Sequence, residues 1–139
     1  MSSGVLDASA LLALLNREPG AERVAEALAA GACMSAVNLS EVVAKLAEIG
    51  MTEAEIHEAI DPLGLDVAPF GAADAFATGL LRPASRAAGL SLGDRAPLAL
   101  GRRRGLPVLT ADSAWSVLDP GAGIEMLRGD APPAAPARR

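Results

Sequence analysis

An α/β fold, with a mostly parallel central sheet covered on both faces, is what the sequence predicts, and three observations predict it. Short apolar runs alternate along the chain with segments of helical periodicity. Turn residues such as Pro19-Gly20, Gly31, Gly50 and Gly105 close the helical segments and separate them from the next run. At 139 residues, 51% of them hydrophobic, the chain can bury the core of one domain without disulfides or a structural metal.

Taken in order, Gly4 to Leu6 is a first strand signal, and behind Asp7 the leucines of Ala8 to Leu15 recur at helical spacing. Ala21 to Ala30 repeats the helical pattern up to Gly31, and Ala32 to Ser35 is a second short strand. A helix is expected after Asn38, running to about Ile49 and stopping at Gly50. Thr52 with Glu55 three residues on is a capping-box signal for a helix that ends near Pro62, and Leu65 to Ala68 is a weak strand. Ala72 to Ala88 is helical in pattern but carries Pro83, which removes a backbone donor and is expected to kink or split it. Ser91 to Arg104 is the next helix, and Pro107 to Thr110 is the clearest strand signal in the chain. A short helix over Ala114 to Leu118, with Trp115 as a packing anchor, and an edge strand over Ile124 to Leu127 complete a domain spanning residues 1–129. Residues 130–139, rich in Pro, Ala and charge, are expected to be disordered.

Composition excludes several classes. A net charge of −5 argues against broad nucleic-acid affinity, which needs many cationic contacts to phosphate. The one cysteine, Cys33, lies in an apolar run, and the one histidine, His57, has polar helical surroundings. Cys/His or Ser/His/Asp nucleophilic catalysis and a His/Cys zinc site are therefore poorly supported. No membrane-length apolar stretch or signal-peptide pattern is evident, so a soluble, cytoplasmic protein is expected. Lys45 is the single lysine, and three arginines, Arg102, Arg103 and Arg104, run together at a helix C-terminus. There they either complement the helix dipole or contact phosphate or a partner.

Four acids carry the chemistry. Asp7, Glu41, Asp94 and Asp112 each sit where an apolar run hands over to a helical segment, which gathers them at the carboxyl edge of a parallel sheet. Capping explains each alone: Asp7 and Asp112 as N-caps, and Asn38 with Glu41 or Ser91 with Asp94 as capping boxes. Capping does not require the four to converge, and converging carboxylates repel unless a hard cation such as Mg²⁺ lies between them.

The strings VLDASALLALL, SAVNLSEVVAKL and GLSLGDRAPLALGRRRGLPVLTADSAW resemble those of PIN-domain ribonucleases, and in particular the VapC-type toxins of type II toxin–antitoxin pairs. The resemblance runs from about Val5 to Leu127 and implies a PIN-like three-layer α/β/α sandwich. Carried over by position, it puts the metal-binding acids on Asp7, Glu41 and Asp94 and the fourth acid on Asp112, with Asp7 and Asp94 touching the metal. Supporting polar residues fall on Ser9, Asn38 and Thr110, and Arg95 with Arg102 to Arg104 would offset the acidic field toward RNA or a partner. Pro97 departs from the pattern and is expected to lie in the first turn of its helix. The resemblance further implies a Mg²⁺- or Mn²⁺-dependent endoribonuclease that inhibits translation or growth. It also implies a homodimer and an antitoxin, for which the apolar faces of the first two helices are candidate seats unless they pack into the core. A catalytically inactive PIN-like binding module is the alternative. Phosphoaspartyl proteins fit less well, since Ser9 stands where a phosphatase needs a second aspartate and no lysine follows a late strand.

Overall fold

The computed structural model describes residues 3–112 and 123–127; the expected helix over 114–118, Trp115 and the tail at 130–139 lie outside them. Strands β1 (Val5–Leu6), β2 (Cys33–Ser35), β3 (Asp66–Ala68), β4 (Val108–Thr110) and β5 (Ile124–Met126) form one sheet in the order β3-β2-β1-β4-β5. Every pairing in it is parallel. Parallel neighbours need crossovers. Between β1 and β4 these are made by α1 (Ala8–Leu15), α2 (Ala21–Ala29), α3 (Ala36–Glu48), α4 (Glu53–Ile60), α5 (Ala72–Gly79), α6 (Arg82–Ser85) and α7 (Leu92–Arg104).

Successive strand residues point to opposite faces, and the core divides accordingly. Val5, Cys33 and Val108 pack with Leu81, Leu90, Leu98 and Leu100 on one face. Leu6, Met34 and Leu109 face the other way, against buried residues of α1 to α4. Two apolar layers flanking one sheet give the three-layer sandwich. The faces of α1 and α2 that carry Leu11, Val24, Ala27 and Leu28 are buried in it, so they are core rather than partner surface.

Most helix boundaries follow the expected signals, the split at Pro83 among them, and two do not, the start of α3 and the place of Pro97. Ser35 caps α3, its Oγ accepting from Val37 N at 3.1 Å, so the helix begins before Asn38. Pro83 splits its segment into α5 and α6 by falling in the first turn of α6, where its missing N–H has no helical partner to lose. Pro97 is not in a first turn: Ser91 caps α7 and puts the proline inside the helix. With no N–H on Pro97, the Gly93 carbonyl four residues back lacks its usual helical donor, and Asn38 Nδ2 from α3 donates to it instead at 2.8 Å. Helix α7 stops at Gly105, whose φ of +67° is left-handed. Among the described residues no helix is long and apolar enough to cross a membrane.

Candidate metal centre

Strand β1 is central: the chain leaves it for β2 on one side and reaches β4 on the other. Parallel sheets leave a crevice outside the carboxyl ends of their strands at such a switch point. Asp7 follows β1, Asp112 stands two residues past β4, and α3 and α7 bring up Glu41 and Asp94. All four acids line one cleft of about 450 Å³, together with Ser9 and Lys45.

Asp7 is buried, and its Oδ1 accepts from Ser9 Oγ at 2.7 Å and from Ala10 N at 2.8 Å, which caps α1. Ser9 Oγ in turn accepts from Ala111 N at 2.9 Å, tying α1 to the end of β4. Thr110 Oγ1 lies 3.2 Å from Ser9 Oγ and accepts from Asp112 N at 3.0 Å, and its hydroxyl also reaches Asp7. Burial pushes the Asp7 carboxyl up from 3.8 to about 6. The hydrogen bonds from Thr110, Ser9 and Ala10 N hold that rise down, and the charge of Asp94 adds to it.

Glu41 is placed by a different device from the expected capping box. Asn38, fully buried inside α3, gives one Nδ2 proton to Glu41 Oε1 at 2.9 Å and the other to Gly93 O. Both partners are acceptors, which fixes the orientation of the amide. Among the described residues its Oδ1 is buried without a hydrogen-bond partner. At Gly93 a Cβ would overlap the Glu41 carboxylate, so glycine is what lets the two helices close on this acid. Asp94 does form the expected capping box: its Oδ2 accepts from Ser91 N at 3.0 Å, and Ser91 Oγ accepts from Asp94 N at 3.2 Å. Capping and cleft lining thus coexist in Asp7 and Asp94.

The donor set suits a hard cation. It is all oxygen, and burial plus mutual repulsion already disfavours the charge on Asp7. Among the described residues no three acids form a closed cluster for an ion. Mg²⁺ does not need one, because it keeps several waters and binds through one or two carboxylates.

Three of the four predicted arginines are engaged elsewhere. Arg95 donates to Leu90 O and to Thr78 O at 3.1 Å, which ties α7 to the segment before it. Arg103 pairs with Asp74 and Arg104 with Asp66, at the end of α7 away from the cleft. His57 is exposed between Glu53 and Asp61, and its pKa is raised, chiefly by the hydrogen bond to Asp61. Sequence reasoning missed Gly93 and Lys45. A glycine inside a helical pattern, costing about 1 kcal/mol against alanine, was the available signal for the first. Lys45, one turn after Glu41, was the signal for the second.

Comparison with solved structures returns the same fold. A chain of the DNA-bound VapBC structure from Salmonella typhimurium superposes with a TM-score of 0.73 at 20% identity, covering 91% of this chain and 99% of that one. A toxin–antitoxin complex from Klebsiella pneumoniae gives 0.69 at 17% identity, covering 89% and 97%. VapBC-5 from Mycobacterium tuberculosis gives 0.55 at 22% identity, covering 92% and 99%. No curated protein matches the sequence. The model for the PIN domain matches residues 4–119, which takes in both walls of the acidic cleft and all four carboxylates, and the chain belongs to the PIN-domain family.

Proposed function

We propose that the protein is a divalent-metal-dependent endoribonuclease of the VapC toxin type, cutting RNA to 5′-phosphate and 3′-hydroxyl ends and so inhibiting translation or growth. The observation that carries this reading is the convergence of Asp7, Glu41, Asp94 and Asp112 on one cleft at the switch point of the sheet. PIN domains are generally nucleases, and the structural neighbours named above come from toxin–antitoxin complexes. Asp7 and Asp94 would hold Mg²⁺ or Mn²⁺, and the ion would supply Lewis-acid activation of a water and stabilisation of charge on the leaving 3′-oxygen. Ser9 and Thr110 fix the Asp7 carboxylate, and Asn38 fixes that of Glu41. Glu41 and Asp112, both exposed and lining the same cleft, would complete or tune the site. No protein nucleophile is required, in keeping with the buried Cys33 and the distant His57.

A cognate antitoxin is the proposed protein partner. The apolar groove of about 380 Å³ between α3 and α4, lined by Leu39, Val43, Ile56 and Ile60 and rimmed by Glu53 and Asp61, is a seat for an amphipathic basic segment. Phe76 on α5 and Leu80 at its C-cap, each 75% exposed, offer an apolar face for a homodimer.

The test is cleavage of end-labelled total RNA by purified protein with Mg²⁺ or Mn²⁺, beside a chelator control and Asp94→Asn. Discrete products lost in both controls are expected. The open arrangement of the acids favours a second reading, a PIN-like module that binds a partner without cutting RNA. Absence of cleavage by folded, partner-free protein would select it.

A further inference from the structure

We infer that Lys45 is the substrate-contact residue of the cleft, its ammonium holding an RNA phosphate next to the scissile one; this rests on the nuclease reading above. An RNA strand carries one negative charge per nucleotide, and four carboxylates repel it at the cleft. Among the described residues Lys45 is the one cation lining that cleft. The arginines that might have served are committed: Arg95 to Leu90 and Thr78 carbonyls, Arg103 to Asp74 and Arg104 to Asp66.

Lys45 has a disposition that none of these share. It lies one turn beyond Glu41 on α3, so both side chains face the cleft while Val42 and Leu46 between and beyond them are buried in the core. It is exposed, and it makes no ion pair or hydrogen bond among the described residues, although Glu41 is within helical reach. A compact, strongly hydrated ammonium on a four-carbon stem suits a single phosphate oxygen reached across an open cleft. The metal would neutralise the scissile phosphate, leaving the neighbouring phosphate as the uncompensated charge nearest α3.

A contact of this kind is made equally in the ground state and the transition state, so it acts on KM rather than kcat. Lys45→Ala is expected to raise KM about tenfold, the worth of one charge-assisted hydrogen bond, with kcat unchanged. Lys45→Arg is expected to restore most of the loss. The salt dependence supplies a readout that a merely structural role would not move: losing one phosphate contact on a single strand lowers the slope of log Kd against log salt by about 0.7. That slope is measured as fluorescence anisotropy of a labelled single-stranded RNA in chelator, where no cleavage occurs.

A raised KM with a reduced slope and rescue by arginine supports the inference. An unchanged KM and slope, or a fall in kcat alone, overturns it. If the wild-type protein cuts no RNA the nuclease reading fails separately. Lys45 is then judged by the anisotropy slope, which either falls in Lys45→Ala or removes the lysine from phosphate binding.

Discussion

Replacing Asp7 by asparagine isolates a charge, because the amide oxygen still accepts from Ser9 Oγ and Ala10 N. With its carboxyl raised from 3.8 to about 6, the folded chain holds this proton more tightly than the unfolded one. The stability that proton confers is whole below pH 3.8 and is lost as the pH rises through about 6, a difference of about 3 kcal/mol. In a chelator, Asp7→Asn is expected to melt above wild type at pH 8 and to match it near pH 4. Equal melting at both values would show that burial does not strain the carboxylate. Gly93→Ala separates position from stability in the opposite sense. Alanine relieves up to about 1 kcal/mol of helix propensity, yet its Cβ pushes the Glu41 carboxylate away from Asn38. RNA cleavage is expected to fall at least tenfold with no loss of melting temperature. Asp7, Asp94 and Asp112 were legible in the sequence because each stands at a strand-to-helix junction or in a capping signal. Glu41 was legible in the same way as a cleft acid, but the device that orients its carboxylate was not, since it depends on a contact between Asn38 and Gly93, 55 residues apart.

Elements show the same division between local and distant causes. Capping boxes at Thr52 and Ser91 fix the starts of α4 and α7 as their sequences imply, because the donors and acceptors lie within one turn. The start of α3 is not legible from its own sequence because Ser35 ends a strand and caps a helix at once. The role of Pro97 was hidden for a further reason: the carbonyl that it releases finds its donor on another helix. Strand β5, at the sheet edge, is held from outside by Arg23 of α2, whose Nε and Nη2 donate to the two Glu125 oxygens at 2.7 and 3.0 Å. Both side chains are more than a third exposed, so screening limits this pair to at most about 1 kcal/mol. Arg23→Ala is therefore expected to speed hydrogen exchange at residues 124–126 while leaving the global melting temperature nearly unchanged. A large drop in that temperature would mean that β5 is part of the cooperative core.

For the whole molecule, stability resides in the two apolar layers. Leu109 is fully buried between β1 and the α1 to α4 layer. Leu109→Ala is expected to cost about 2–5 kcal/mol by opening a cavity, read as a lower urea midpoint at constant slope. An effect under about 1 kcal/mol would show that the layer collapses around the gap. The sheet order also sets a timetable. Asp7 and Ser9 emerge early in synthesis, whereas the Thr110 that meets Ser9 follows 101 residues later. Until β4 is made, β1 has no neighbour on that side and Asp7 lacks one of the two hydroxyls that hold it. Chains stalled or clipped before β4 therefore carry Asp7 and Glu41 without a finished cleft, so whatever chemistry it performs begins only once the ribosome has passed Asp112.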